Sequence, residues 1–172
     1  MNVRFLNPFL EAAYKVLQAE TGLTVSKGKI ELEKSALTTE DITVLISLVG
    51  EVQGVVMYGM SEQTCMEIVN RMIDQKLEEF NDFARSGISE LGNVITGQAS
   101  IILSENGLDA NISPPTLVEG KSAKISMLDF SRVVVPMEIE VGRLTVHLAL
   151  RESPAGQRDI NFVDLVAEVE TA

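Results

Sequence analysis

Residues Ile42–Met60, ITVLISLVGEVQGVVMYGM, are two apolar runs rich in β-branched side chains that meet at Gly50-Glu51. Such runs, broken only by a glycine-containing dipeptide, read as the two strands of an antiparallel hairpin. What lies on either side decides the fold class. Upstream, Phe5, Phe9, Ala12, Ala13, Val16 and Leu17 recur at helical spacing, so residues 4–20 are expected to be an amphipathic helix ended at Gly22. Between the two, KIELEKS (Lys29–Ser35) alternates, with Ile30 and Leu32 on the face expected to be half-buried in a strand.

Downstream, Ser61 is placed to cap a short helix over 62–73, and a polar connector (74–81) leads to a long helix over about 82–105, closed by Asn106-Gly107. Pro114-Pro115 blocks further helix. The stretches PTLVEG, AKISML, SRVVVPMEIEV and RLTVHLALRE are strand-like, the last two joined as a hairpin around Val141-Gly142-Arg143. The order helix-then-three-strands occurs twice, with the short helix between. The expected architecture is α/β of the α+β type: a mostly antiparallel sheet, helices packed on one face, and a pseudo-repeat of helix plus three strands. Residues 1–151 are expected to form one domain and 152–172 a linker and C-terminal tail. In that tail Phe162, Val163, Val166 and Val169 lie near one helical face, so a docked helix and a frayed end are both open readings.

The chain has 172 residues, 45% of them hydrophobic, and a net charge of −11. That length and apolar content suffice for one sizeable core. The negative charge argues against nucleic acid and anionic membrane as partners. A single cysteine, Cys65, excludes an intrachain disulfide and a cysteine-based zinc site. The start, MNVRFLNPFLEAAYK, has no apolar signal core, and a cytoplasmic location is expected. His147 alternates with Thr145 on the polar side of its strand and is expected at the surface. Met57, Met60, Met66 and Met72 are expected to fill core gaps.

The long helix carries the functional signal. Ile88, Leu91, Ile95, Ala99 and Ile102 form its core stripe; Ser86, Glu90, Asn93 and Gly97 form another, projecting outward. Gly87, Gly92 and Gly97 each weaken a helix by about 1 kcal/mol relative to alanine, which points to close approach of another backbone. A carboxylate and a carboxamide one turn apart are, on most helices, two solvated side chains.

The spacing Ser86-x3-Glu90-x2-Asn93-x21-Pro115, with SELGNVITGQ and ISPPTLVEG around it, resembles the signature of the CheC/CheX chemotaxis phosphatases over about residues 1–151. On the first helix Asn7-x3-Glu11-x2-Tyr14 echoes the spacing but lacks the asparagine, so a first site is read as lost. One site per chain resembles CheX. The resemblance implies hydrolysis of the aspartyl phosphate of a phosphorylated CheY-like response regulator. Asn93 would orient the attacking water and Glu90 would pair with a receiver lysine, while Ser86 and Gly97 touch the partner. Mg2+ would come from the receiver, with no metal or cofactor held by this chain. Pro115 would shape the chain's exit toward the sheet. It further implies a homodimer through sheet edges, for which the β-rich C-terminal half offers an edge. The alternative is a docking module of the same fold without turnover, akin to flagellar-switch proteins.

Overall fold

In the computed structural model, residues 3–34, 37–126, 131–153 and 168–170 are described. The order is α1 (Val3–Thr21), β1 (Val25–Lys27), β2 (Glu31–Glu33), β3 (Leu37–Thr38), β4 (Ile42–Gly50), β5 (Val52–Met60), α2 (Glu62–Ile73) and α3 (Asp82–Glu105). There follow β6 (Ala110–Ile112), β7 (Thr116–Glu119), β8 (Lys124–Ser126), β9 (Arg132–Ile139), β10 (Gly142–Glu152) and β11 (Glu168–Glu170). Local chemistry sets the boundaries. Ser61 accepts from the Thr64 amide at the start of α2, and α1 and α3 run into Gly22 (φ +68°) and Gly107 (φ +74°), where a left-handed turn suits glycine.

The hairpin β4–β5 forms as read, in antiparallel register from Ile42 opposite Met60 to Leu48 opposite Gly54. The second hairpin, β9–β10, lies beside it through β5–β10 pairing. The main sheet runs β1-β9-β10-β5-β4-β6, with β2 also on β9 and β7 also on β4. Exchanging the two helix-plus-strands halves maps β1/β2 onto β6/β7, β4 onto β9 and β5 onto β10, and the strand order is unchanged when reversed. The pseudo-repeat is therefore real in the topology, and each half lends its first strands to the other's edge. The C-terminal half does offer an edge, through β6/β7; the other edge among the described residues is β1/β2, and β9 and β10 are interior.

Alternation gives the sheet two buried faces. On one, Val44, Ile46, Leu48, Val56, Tyr58, Val135, Val146 and Leu148 pack with α1, α2 and α3. On the other, Val55, Met57 and Leu45 pack against Leu37 and Ile125 of a small sheet, β11-β8-β3, that lies across it. Cys65 sits under α2 in the helical layer, where burial pushes its thiol up to about 12, so it is inert. Met57 and Met60 are fully buried, and Met66 and Met72 are half-buried.

Three readings change. Leu32 is 60% exposed and Ile30 is exposed too, because β2 lies on an edge that nothing among the described residues covers. The tail, for which the sequence leaves a docked helix and a frayed end both open, falls mostly outside the described residues; its described part, Glu168–Glu170, is instead a strand paired with β8. His147 is only 6% exposed. It shares the sheet face of Met57 and Val134, its cross-strand neighbours, and the covering sheet buries that face. The layer comes from segments remote in sequence, which strand alternation cannot reveal.

Burial, and then the nearby Arg132 guanidinium, push the His147 imidazole down to about 3. Its Nδ1 has no hydrogen-bond partner among the described residues, while Arg132 is ion-paired to Glu33. A histidine whose folded value is depressed binds its proton mainly in the unfolded chain, so stability falls as pH drops below the unfolded value near 6.5. Between pH 7 and pH 5 this should cost about 2 kcal/mol. Glu40, whose carboxyl is raised by burial, titrates in the opposite sense. The comparison that isolates the imidazole is denaturant unfolding of wild type against His147→Leu at both pH values. The variant should lose the acid sensitivity, and equal slopes in the two proteins would refute the assignment.

Candidate functional site

α3 is the longest helix, and its placement follows from how it meets the sheet. Asn81 caps it, its side-chain oxygen accepting from the Phe83 and Ala84 amides, both at 3.1 Å. Arg85 fastens the first turn: its guanidinium donates to both carboxylate oxygens of Glu119 (2.7 and 3.0 Å), to Asp82 (3.1 Å), and lies 5.0 Å from the Phe80 ring centroid. This ties α3 to the end of β7, the strand that follows Pro115. The pairing holds the Glu119 carboxyl below its usual range.

The face toward the sheet is Ile88, Leu91, Gly92, Ile95, Thr96, Ala99 and Leu103, all buried. Leu103, rather than the expected Ile102, closes the stripe; Ile102 is half-buried. Thr96 donates to the Gly92 carbonyl (2.8 Å) and shares a 2.9 Å hydrogen bond with the Tyr58 hydroxyl. Burial raises the Tyr58 phenol, so it stays protonated and the polar contact stays neutral.

The three glycines have separate causes. A Cβ at Gly92 would lie 2.8 Å from the Val44 Cγ1 and 3.4 Å from the Tyr58 ring, so the helix backbone rests directly on β4 and β5. At Gly87 the Val69 Cγ1 of α2 would be 3.1 Å away. At Gly97 the only neighbour would be the Ile112 Cδ1 at 3.9 Å, an ordinary contact. The chain's own packing accounts for Gly87 and Gly92 but leaves Gly97 unexplained.

The opposite face carries the expected group. Glu90 and Ser86 are exposed; Asn93 and Gly97 are half-buried. Neither Glu90 nor Asn93 makes a hydrogen bond or ion pair to another described residue. Three residues apart on one helix, their Cβ atoms lie about 5–6 Å from each other. On α1, Glu11 is ion-paired to Lys15 at 2.7 Å and Tyr14 is exposed. Glu11 lines a groove of about 540 Å³ between α1 and α3 with Lys15, Gln98, Ile101 and Glu105, and neither Glu90 nor Asn93 belongs to it. The pair lies outside that groove, with Glu90 exposed and Asn93 half-buried on the outward face. No group of three or more His, Cys, Asp or Glu able to hold a metal occurs among the described residues, and no described helix is long and apolar enough to cross a membrane.

Sequence reasoning passed over two exposed apolar side chains, Phe83 and Ile101, on this same outward face. The helical wheel would have found them, since neither falls on the core stripe.

The family model of the chemotaxis phosphatase CheX matches residues 42–138, a span that contains Ser86, Glu90, Asn93 and Pro115. The chain belongs to the CheX family. The CheY-P phosphatase CheX of Thermotoga maritima is 26% identical over 126 residues, 73% of this chain and 81% of that protein. A CheC-like superfamily protein from Shewanella sp. PV-4 superposes with a TM-score of 0.80 at 29% identity, covering 88% of this chain and 99% of the other. CheX of Borrelia burgdorferi, in a complex with CheY, BeF3 and Mg2+, superposes with a TM-score of 0.75 at 25% identity, covering 86% and 98%. The Thermotoga relative is a CheY-P phosphatase, and the Borrelia relative is seen bound to CheY.

The glycine geometry separates packing from function. Gly92→Ala should lower the melting temperature, because the Val44 side chain and β4 must move. Gly97→Ala should raise stability by about 1 kcal/mol through helix propensity. Thermal denaturation of the two variants checks this; a Gly97→Ala protein less stable than wild type would show that the fold itself requires that glycine.

Proposed function

We propose that this chain hydrolyses the aspartyl phosphate of a CheY-like response regulator by inserting Glu90 and Asn93 into the receiver's active site. The observation that carries this reading is that both side chains stand on the outward face of one helix, without side-chain partners among the described residues and outside the groove between α1 and α3. The relatives support the class of substrate and partner.

An acyl phosphate is already activated, because its leaving group is a carboxylate. The remaining task is to hold a water in line with the breaking P–O bond. Asn93 suits it: its carboxamide has both donor and acceptor and can fix a water's orientation. It has no proton to exchange in the working range, so it acts by positioning. Glu90 forms a charge-assisted hydrogen bond with the receiver lysine and sets the docking register. Ser86, one turn before Glu90, touches the partner, and Gly97 leaves room for its surface. Mg2+ belongs to the receiver, where it offsets charge on the phosphoryl oxygens. Glu11 and Tyr14 take no part, since Glu11 is held by Lys15 and Tyr14 cannot replace the carboxamide. The protein acts in the cytoplasm.

Phosphate release from a phosphorylated receiver, with this protein at substoichiometric amounts, is the direct test. Asn93→Ala should lower turnover roughly 10²–10³-fold and leave binding intact in a pull-down, whereas Glu90→Ala should weaken both. Full turnover by Asn93→Ala would refute the positioning role. Binding without release by the wild type would favour the docking-module reading.

We also propose a homodimer through the β1/β2 edge, where the exposed Leu32 offers apolar surface on a strand that pairs with β9 on one side only among the described residues. Light scattering should give twice the chain mass, and Leu32→Lys should reduce it to the monomer; an unchanged mass in Leu32→Lys would rule out this edge.

A further inference from the structure

α3 exposes two large apolar side chains that the fold does not use. Phe83 is 58% and Ile101 54% exposed, among only five such large side chains in the described residues. At about 100° per residue, positions 83, 86, 90, 93, 97, 101 and 104 fall within an arc of about 80°. Phe83 and Ile101 therefore share the arc of Glu90 and Asn93. At about 1.5 Å per residue, Phe83 lies about 10 Å before Glu90 and Ile101 about 12 Å beyond Asn93.

The arc is poor in charge. Glu90 is its only ionisable residue. Arg85, the only basic residue on α3, is drawn off to Glu119, Asp82 and the Phe80 ring. A solvated helix face is normally rich in charged side chains. The arc itself, with an aromatic, an aliphatic and small residues around one carboxylate, has instead the composition of an interface core, in which charge is depleted and aromatics are enriched; the charged Glu11, Lys15 and Glu105 of the neighbouring groove border it at Ile101.

We propose that Phe83 and Ile101 are the apolar docking anchors for the phosphorylated CheY-type receiver domain, one on each side of the Glu90–Asn93 pair. This rests on the reading of that pair as the inserted group, which already brings receiver surface against the arc: for two short side chains to reach a recessed phosphoaspartate, the receiver must close over the neighbouring helical turns. The missing side chain at Gly97, between Asn93 and Ile101, where an added Cβ would make only an ordinary contact with Ile112, lowers the helix surface for that approach. The anchors lie too far from the reacting phosphorus to sense the change from substrate to transition state. They bind both equally, so their loss raises KM and leaves kcat alone.

The experiment is steady-state phosphate release from a CheY-type receiver, phosphorylated with acetyl phosphate in Mg2+, by full-length wild type, Phe83→Ala, Ile101→Ala and Phe83→Leu. Each alanine variant should raise KM about tenfold with kcat within about twofold, and Phe83→Leu should recover most of the loss. Melting temperatures should match, since both side chains are exposed. Unchanged KM in both alanine variants, or a fall in kcat at constant KM, would overturn the proposal. So would an altered mass of the Phe83→Ala protein in solution, which would assign the patch to a second copy of the chain. If the wild type releases no phosphate, the catalytic reading of the pair fails. The anchors are then judged by binding of a BeF3-activated receiver, where equal affinity of wild type and Phe83→Ala would overturn them.

Discussion

The contact between the backbone of α3 and the β4–β5 hairpin governs the rest of the molecule. At Gly92 the helix comes so close to Val44 that a methyl group would overlap its side chain, and one turn later Thr96 is joined to the Tyr58 hydroxyl. A helix held at two consecutive turns of one face has no freedom to roll. The rotation that buries Gly92 and Thr96 turns Glu90 and Asn93 toward solvent. Orientation of the functional pair is thus a consequence of core packing, and the Arg85–Glu119 pair adds a second restraint at the helix's first turn.

The interleaved sheet explains why two similar halves make a single unit. Each half supplies the edge strands of the other, so neither can close its own sheet. The central pairing of β5 with β10 joins them along all of β5 and most of β10. Within this near-symmetric frame the two long helices have diverged. α3 keeps a carboxylate and a carboxamide with no partner among the described residues. α1 has Tyr14 in place of the carboxamide and engages Glu11 with Lys15. The frame is common to both helices; the carboxylate–carboxamide spacing is kept on one.

A site with so few groups is reasonable where the substrate is another protein's active centre. Under the proposed function the receiver would bring the activated bond and the metal, and placement of one water and one ion pair would remain for this chain. Rigid helical presentation serves placement better than a loop would, because a small displacement of a positioning group forfeits much of its effect.

Much of this was legible in the chain alone. The apolar periods of 2 and 3.6 located both hairpins and all three helices, and Ser61, Gly22 and Gly107 marked ends through local backbone chemistry that needs no tertiary context. The spacing of Ser86, Glu90, Asn93 and Pro115 pointed to the family. Tertiary structure decided what depends on contacts between distant segments. It placed β9 and β10 inside the sheet, because the edge strands come from the opposite halves. It buried His147 under β3, β8 and β11, which residues 37–38, 124–126 and 168–170 contribute. It also separated the three glycines of α3, two pressed tightly against the chain's own side chains and one, Gly97, where a Cβ would make only an ordinary contact. Local pattern encodes which side of an element is apolar; only the assembled layers determine what, if anything, covers the other side.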